Sequence, residues 1–204
     1  MSPLFTLFSR PPRPPPIVIV SGLPRSGTSL MMKILEAGGV RVLTDHTRKA
    51  DTDNPHGYYE FERVKRLPDG DIDWLLEAEG KAVKIISALL GYLPAHYSYK
   101  IIFMQRAIPE VLASQRIMLA RLGRTDDHTT DEAMQRLLTK HVREVRDWME
   151  RQGNIDRLDV PYAGLISTPT HAIMQIAQFL GRNMDMDRMA TVIDPSLYRN
   201  CLSK

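Results

Sequence analysis

The residues with the clearest chemical potential form a short loop that separates an apolar segment from an amphipathic one. Glycines let successive main-chain N–H groups turn toward a common centre, and the start of a helix adds positive potential at the same place. A plain strand-to-helix turn would need neither an arginine nor the hydroxyl side chains that accompany the glycines here. The segment therefore predicts a phosphate-binding loop with the sequence Gly22-Leu23-Pro24-Arg25-Ser26-Gly27-Thr28-Ser29.

The spacing of the two glycines matches the nucleotide-kinase loop G-x-x-x-x-G-K-[ST], but one position departs from it. Gly22 and Gly27 fit, whereas Thr28 stands where that loop has its lysine. Because the lysine reaches the β- and γ-phosphates, its absence argues against an enzyme that hydrolyses a nucleoside triphosphate or transfers its phosphoryl group. The cation lies inside the loop instead, at Arg25. The loop is thus suited to a phosphate but poorly suited to a triphosphate.

Arg106 and Ser114 are a second pair with an informative spacing. Arg106 follows the predicted strand 99–105, and Ser114 lies eight residues later in a segment typical of a helix. With the loop, the pair resembles the sulfotransferases that use 3′-phosphoadenosine 5′-phosphosulfate (PAPS), in which such an arginine and serine bind the 3′-phosphate. The family's 5′-phosphosulfate loop, P-[KR]-S-G-T-[ST], is matched by Pro24, Arg25, Ser26, Gly27, Thr28 and Ser29.

Further matches extend the resemblance, in order, from residue 17 to residue 181. Segments 162–165 and 179–181, with Pro169 between them, resemble the family's Y-x-x-L…P…F-L-G segment. The nearest likeness is to a small bacterial branch that reads GLPRSGTS, then NP-x-GYYE, then YRN. The Gly-rich basic segment that closes over the 3′-phosphate in the cytosolic branch has no counterpart here, and Arg199 is the late substitute for it.

The resemblance implies transfer of a sulfuryl group from PAPS to a hydroxyl or amine acceptor by in-line displacement. Arg25, Thr28 and Ser29, with the loop amides, would stabilise the charge that develops on the leaving 5′-phosphate. Lys84 lies where the cytosolic branch has a lysine that touches the transferring sulfonate; a lysine that extends from a strand end into solvent is an equal alternative. The sulfuryl group carries one charge, so no metal is expected.

The general base cannot lie where the cytosolic branch has it, because Ile86 replaces the histidine two residues after Lys84. Tyrosylprotein sulfotransferases use a glutamate further along the chain from the loop arginine, and the corresponding zone here holds Asp45 and His46. Asp45 is the first candidate, His46 the second for its ordinary pKa, and Glu60 the third. Asp45 could equally be an Asx-turn residue.

Alternating apolar and amphipathic segments are expected to position these residues. The alternation predicts a three-layer α/β domain, with a mostly parallel sheet flanked by helices and the ligand site at the carboxyl ends of the strands. The polar, turn-rich segment 45–59 is expected to form the acceptor wall. Strands are predicted at 17–21, 80–86, 99–105 and 155–160, with a possible strand at 40–43, and helices at 28–37, 109–122, 130–152 and 168–180.

Composition limits the class of protein. With 204 residues, 43% of them hydrophobic and 25% charged, the chain suits one globular domain at 17–204 behind a proline-rich tail at 1–16. A net charge of +3 is too even for a dedicated nucleic-acid binder, and no apolar run is long enough to span a membrane. A single cysteine, Cys201, suits a reducing compartment and hence the cytoplasm.

Two alternatives to a sulfotransferase stay open at this point. A P-loop kinase or nucleotidase would bind ATP with magnesium, which the missing lysine disfavours. A non-catalytic nucleotide-binding protein on the same fold would bind the nucleotide without transferring sulfate. The acceptor could be a small molecule or a hydroxyl of a glycan or peptide, and the residues do not indicate which.

Overall fold

Four parallel strands form the sheet at the centre of the computed structural model, which describes residues 14–45, 57–121, 123 and 130–194. The strand order is β2-β1-β3-β4, and each neighbouring pair is parallel. The strands are β1 (Ile17–Gly22), β2 (Ala82–Lys84), β3 (Tyr99–Gln105) and β4 (Ile155–Pro161).

Strand β1 is buried along its whole length because it has a strand on each side and a layer of helices on each face. Val18 and Val20 pack into one apolar cluster, while Ile17 and Ile19 pack into a second on the opposite face. This arrangement explains why β1 lacks the polar alternation of a half-exposed strand. It also confirms the predicted three-layer α/β class.

Helices cover both faces of the sheet. Helices α1, α5, α6 and α7 contribute to the cluster of Val18 and Val20, and α2 and α4 contribute to the opposite one. Short 3-10 helices at Glu62–Asp69 and Ser87–Tyr92 join the second layer. The α-helices are α1 (Thr28–Ala37), α2 (Trp74–Ala78), α3 (Ile108–Arg121), α4 (Asp131–Glu150), α5 (Tyr162–Ser167), α6 (Pro169–Leu180) and α7 (Met186–Thr191).

Two predicted strands differ from the structure. The segment predicted at 40–43 is not a strand, because Val42 forms only an isolated bridge to Ala82. The strand predicted at 80–86 is limited to Ala82–Lys84, since Gly80 turns with a positive φ of 71° and a 3-10 helix begins at Ser87. The ends of β2 are therefore set by turns.

The long helix α4 packs on the sheet layer mainly through its C-terminal half. The Thr130 hydroxyl caps its start by accepting a hydrogen bond from the Ala133 amide at 3.3 Å. Its C-terminal half packs into the apolar layer through Val142, Val145 and Met149, whereas Leu137 in the N-terminal half is 59% exposed.

Two further predictions concern the tail and the membrane. Residues 1–13 of the predicted tail lie outside the described residues, while Pro15 packs close to Gly80. Among the helices that the structure describes, none is both long and apolar enough to cross a lipid bilayer.

Candidate active site

The loop after β1 is tightly curled, and its glycines permit that path. Gly22 has φ 146°, and a Cβ there would lie 2.7 Å from the carbonyl oxygen of Met104 on β3. Gly27 has φ 98°, and a Cβ there would lie 2.5 Å from the ring of Tyr162. Larger residues at either position would therefore push the loop away from β3 and α5.

The end of the loop is also the start of helix α1. Gly27 is the N-cap residue, and no side chain caps the helix there. The first N–H groups of a helix carry partial positive charge and attract anions. The Ser26 hydroxyl lies in the same turn, buried and without a hydrogen-bond partner among the described residues. The loop thus offers main-chain and hydroxyl donors suited to a bound phosphate.

The predicted Arg106–Ser114 pair lies directly beside the loop. Gly22 pairs with Met104 across β1 and β3, so that Arg106 emerges next to the loop. Its Nη1 donates a hydrogen bond to the main-chain oxygen of Arg25 at 3.1 Å. The Arg25 Nε in turn donates to the Ser114 hydroxyl on α3 at 3.0 Å. The structure brings these three residues together although 81 residues separate Arg25 from Arg106.

The orientation of Arg106 is fixed by two more contacts. Its Nε donates to Oε2 of Glu110, one turn along α3, at 3.0 Å, and both side chains are buried. Its guanidinium lies 4.7 Å from the ring centroid of Tyr162, a cation–π geometry. Burial raises the pKa of Tyr162 despite the opposing effect of Arg106, so the phenol is neutral at pH 7.

Lys84 points into the protein and is only 10% exposed. Its Nζ donates hydrogen bonds to the main-chain oxygen of Tyr58 and, at 3.4 Å, to the hydroxyl of Ser29. Ser29 also donates to that Tyr58 oxygen at 3.3 Å. The lysine therefore lies at the first turn of α1 and is not extended into solvent.

The candidate bases occupy different positions. The Asp45 carboxylate is exposed and accepts a hydrogen bond from the Glu62 amide at 2.6 Å, at the start of a 3-10 helix. The Glu60 carboxylate is partly buried, and its Oε1 lies 4.0 Å from the Lys84 Nζ. His46 lies outside the described residues, as does Arg199.

Two contributors to the site were not predicted as such. Glu110 could have been found, because an acid four residues after Arg106 on a helix is a recognisable ion-pair spacing. The Tyr58 carbonyl had no sequence signal, since any residue type supplies that oxygen. Within the part of the chain that the structure describes, no three or more metal-ligating side chains come together.

Comparison with known proteins identifies related sequences and folds. The family model described as "Sulfotransferase domain" matches residues 15–201. No curated protein sequence matches this chain. The sulfotransferase domain from the curacin biosynthetic pathway aligns with a TM-score of 0.53 at 12% identity, over 90% of this chain and 79% of that one.

The sulfotransferase domain of the Synechococcus PCC 7002 olefin synthase aligns with a TM-score of 0.52 at 17% identity, over 93% of this chain and 89% of that one. At such low identity, the likeness to these two structures shows a shared fold.

Proposed function

Because the chain belongs to the sulfotransferase family, we propose that it transfers a sulfuryl group from PAPS to a hydroxyl or amine acceptor. One observation carries the proposal: Arg106 and Ser114 both bond to Arg25, the cation of the phosphate loop. A single nucleotide can therefore reach the loop with its 5′ end and Arg106 and Ser114 with its 3′-phosphate. That pairing suits adenosine 3′,5′-bisphosphate (PAP) and its sulfated form.

The loop has the donors that the leaving group requires. As the acceptor oxygen or nitrogen bonds to sulfur, the bond from sulfur to the 5′-phosphate oxygen breaks and PAP leaves with an added negative charge. That charge is stabilised by the first amides of α1, by the hydroxyls within Pro24–Ser29 and by the Arg25 guanidinium. Each donor contributes about 3 kcal/mol, by analogy with an oxyanion hole. Lys84, beside Ser29, neutralises the sulfonate during transfer. No metal is needed, because the transferred group carries a single charge.

Calorimetric titration with PAP, 5′-AMP and ATP, with and without magnesium, tests the donor site. We expect PAP to bind most tightly and independently of magnesium. Arg106→Ala should weaken PAP binding about 10- to 100-fold, as expected when a hydrogen bond to a charged group is lost. Tighter binding of ATP with magnesium would overturn the proposal in favour of a kinase.

Arg182→Ala is the matched control for Arg106→Ala. Arg182 is partly buried and, like Arg106, donates a hydrogen bond to a main-chain oxygen, that of Gly80, at 3.0 Å. Gly80 precedes β2, whereas the phosphate loop follows β1. Because the two strands are parallel, the control removes an arginine at the amino ends of the strands, away from the loop at their carboxyl ends. Its PAP affinity should equal that of the wild type.

A further inference from the structure

We infer that Glu60, rather than Asp45, removes the proton from the acceptor. The inference rests on the sulfuryl transfer proposed above and assigns one step of it. Three observations carry it: the position of the Glu60 carboxylate beside Lys84, the main-chain contacts that hold Glu60 there, and the different place of the Asp45 carboxylate.

The Glu60 carboxylate lies beside Lys84, the residue proposed to bind the sulfonate. Its Oε1 is 4.0 Å from the Nζ of Lys84, which reaches the Ser29 hydroxyl at the start of α1. An acceptor that attacks sulfur in line approaches from the side opposite the leaving 5′-phosphate. A base for it must therefore lie near the group that binds the sulfonate, but beyond the loop. Glu60, at 22% exposure, meets both conditions.

The main chain fixes this position. The Glu60 carbonyl accepts hydrogen bonds from the Thr44 hydroxyl at 2.9 Å and the Asp45 amide at 3.2 Å. The carbonyl two residues earlier, that of Tyr58, accepts hydrogen bonds from Lys84 and Ser29. The residues on which the sulfonate site is proposed thus also hold the segment that carries Glu60. Such preorganisation keeps a catalytic group within reach of its proton.

Asp45 has a different task. Its Oδ2 accepts the Glu62 amide at 2.6 Å and so satisfies a main-chain donor at the start of the 3-10 helix Glu62–Asp69. Helix starts favour such carboxylate partners. Asp45 therefore orders the segment next to Glu60, and we assign it a positioning role.

A Glu60 oxygen takes the proton of the acceptor as the acceptor oxygen or nitrogen bonds to sulfur. The electron pair of the breaking sulfur–oxygen bond stays on the 5′-phosphate of PAP. The protonated Glu60 then loses its proton to solvent, which its partial exposure permits.

The test compares Glu60→Gln with wild type, using radiolabelled PAPS and two probe acceptors, phenol and pentafluorophenol. Glutamine keeps the shape of Glu60 but cannot take a proton, so kcat with phenol should fall about 10²- to 10⁴-fold. Pentafluorophenol is already ionised at neutral pH and needs no base, so the loss should largely disappear. PAP binding, measured by calorimetry, should be unchanged.

Glu77→Gln is the matched control. Glu77 is an exposed glutamate on α2, and its side chain pairs with Lys81 at 3.1 Å. The same chemical change there should leave turnover with both phenols unaltered. Asp45→Asn should lower thermal stability and retain the difference between the two acceptors that the wild type shows.

Three results would overturn the assignment. Unchanged turnover of phenol by Glu60→Gln would exclude Glu60, and loss of phenol turnover in Asp45→Asn with full recovery on pentafluorophenol would identify Asp45 as the base. An equal loss with both phenols would show that Glu60 acts only on structure. By contrast, a wild-type protein that fails to bind PAP, or that transfers sulfate to neither probe, would contradict the proposed function itself.

Discussion

Single residues determine how closely the phosphate loop approaches its surroundings. Arg25 adopts a positive φ of 71°, a backbone conformation that residues other than glycine rarely adopt. Its main-chain oxygen and its side chain are both engaged, by Arg106 and Ser114 respectively. These contacts offset the backbone strain and hold the loop cation in one orientation.

Gly27 provides the sharpest test at the scale of one residue. Gly27→Ala would place a Cβ 2.5 Å from the Tyr162 ring at a φ of 98°. We expect a loss of stability of roughly 1–3 kcal/mol from backbone strain alone, and a clear loss of PAP affinity because the loop must shift. Chemical denaturation and calorimetry measure the two effects.

Gly153→Ala is the control for that substitution. No heavy atom lies within 4 Å of a Cβ at Gly153. Its stability should stay the same or rise by about 0.4–1 kcal/mol through the unfolded state. If Gly27→Ala kept the stability and the PAP affinity of the wild type, the loop would not need its close approach to α5.

At the scale of elements, carboxylates fix both ends of the 3-10 helix Glu62–Asp69. Asp45 binds its first amide, and Asp71, just beyond its end, pairs with Arg63 and, at 2.7 Å, with Arg66. The Trp74 indole donates to the Asp71 carbonyl at 2.9 Å, which attaches this turn to the apolar layer. The helix is thus held at both ends by carboxylates.

The ion pairs of Asp71 should make the stability of the protein depend on pH. The hydrogen bond from Arg63 holds the pKa of Asp71 below its ordinary value, so its folded state favours the carboxylate. The resulting stability is present above the unfolded-state pKa, about 3.9 for aspartate, and is lost as the pH falls through the lower folded-state pKa. Asp71→Asn should therefore be less stable than wild type at neutral pH, with a difference that vanishes in strong acid.

Denaturant titrations at a series of pH values measure that difference. Asp73→Asn is the control, because Asp73 is an exposed acid two residues along that makes no capping hydrogen bond to α2. If the free energy of unfolding differed by the same amount between Asp71→Asn and wild type at every pH, the Asp71 side chain would contribute through its shape and not through its charge.

Elements with regular patterns could be predicted from the sequence, and tertiary contacts could not. Strand β3 and helix α1 have the predicted bounds, because a short segment centred on four apolar residues and a glycine-terminated amphipathic segment each have one favourable structure. The 3-10 helix Glu62–Asp69 was missed because it contains Pro68, is strongly charged and depends on distant partners for its ends. Contacts through main-chain oxygens, such as that of Lys84 with Tyr58, depend on the chain path and not on residue type.

At the scale of the whole molecule, the sheet joins the two ends of the proposed nucleotide site. Strands β1 and β3 are neighbours, with Gly22 opposite Met104. The phosphate loop and Arg106 therefore lie side by side at the carboxyl ends of these strands. The phosphate loop and α3 are far apart in the sequence. Only the parallel pairing of β1 with β3 brings them together into one site. A nucleotide that contacts both should therefore stabilise the fold as well as occupy the loop.

Ligand-linked stability tests this coupling. A ligand at 100 times its Kd that binds only the folded protein adds about 2.7 kcal/mol to the free energy of unfolding. At one fixed concentration, PAP should stabilise wild type more than 5′-AMP does, because only PAP carries the 3′-phosphate that Arg106 and Ser114 are proposed to bind. In Arg106→Ala the two nucleotides should stabilise more nearly equally, whereas Arg182→Ala should keep the wild-type difference. Equal stabilisation of wild type by both nucleotides would mean that α3 takes no part in binding, since the loop alone would then account for the affinity.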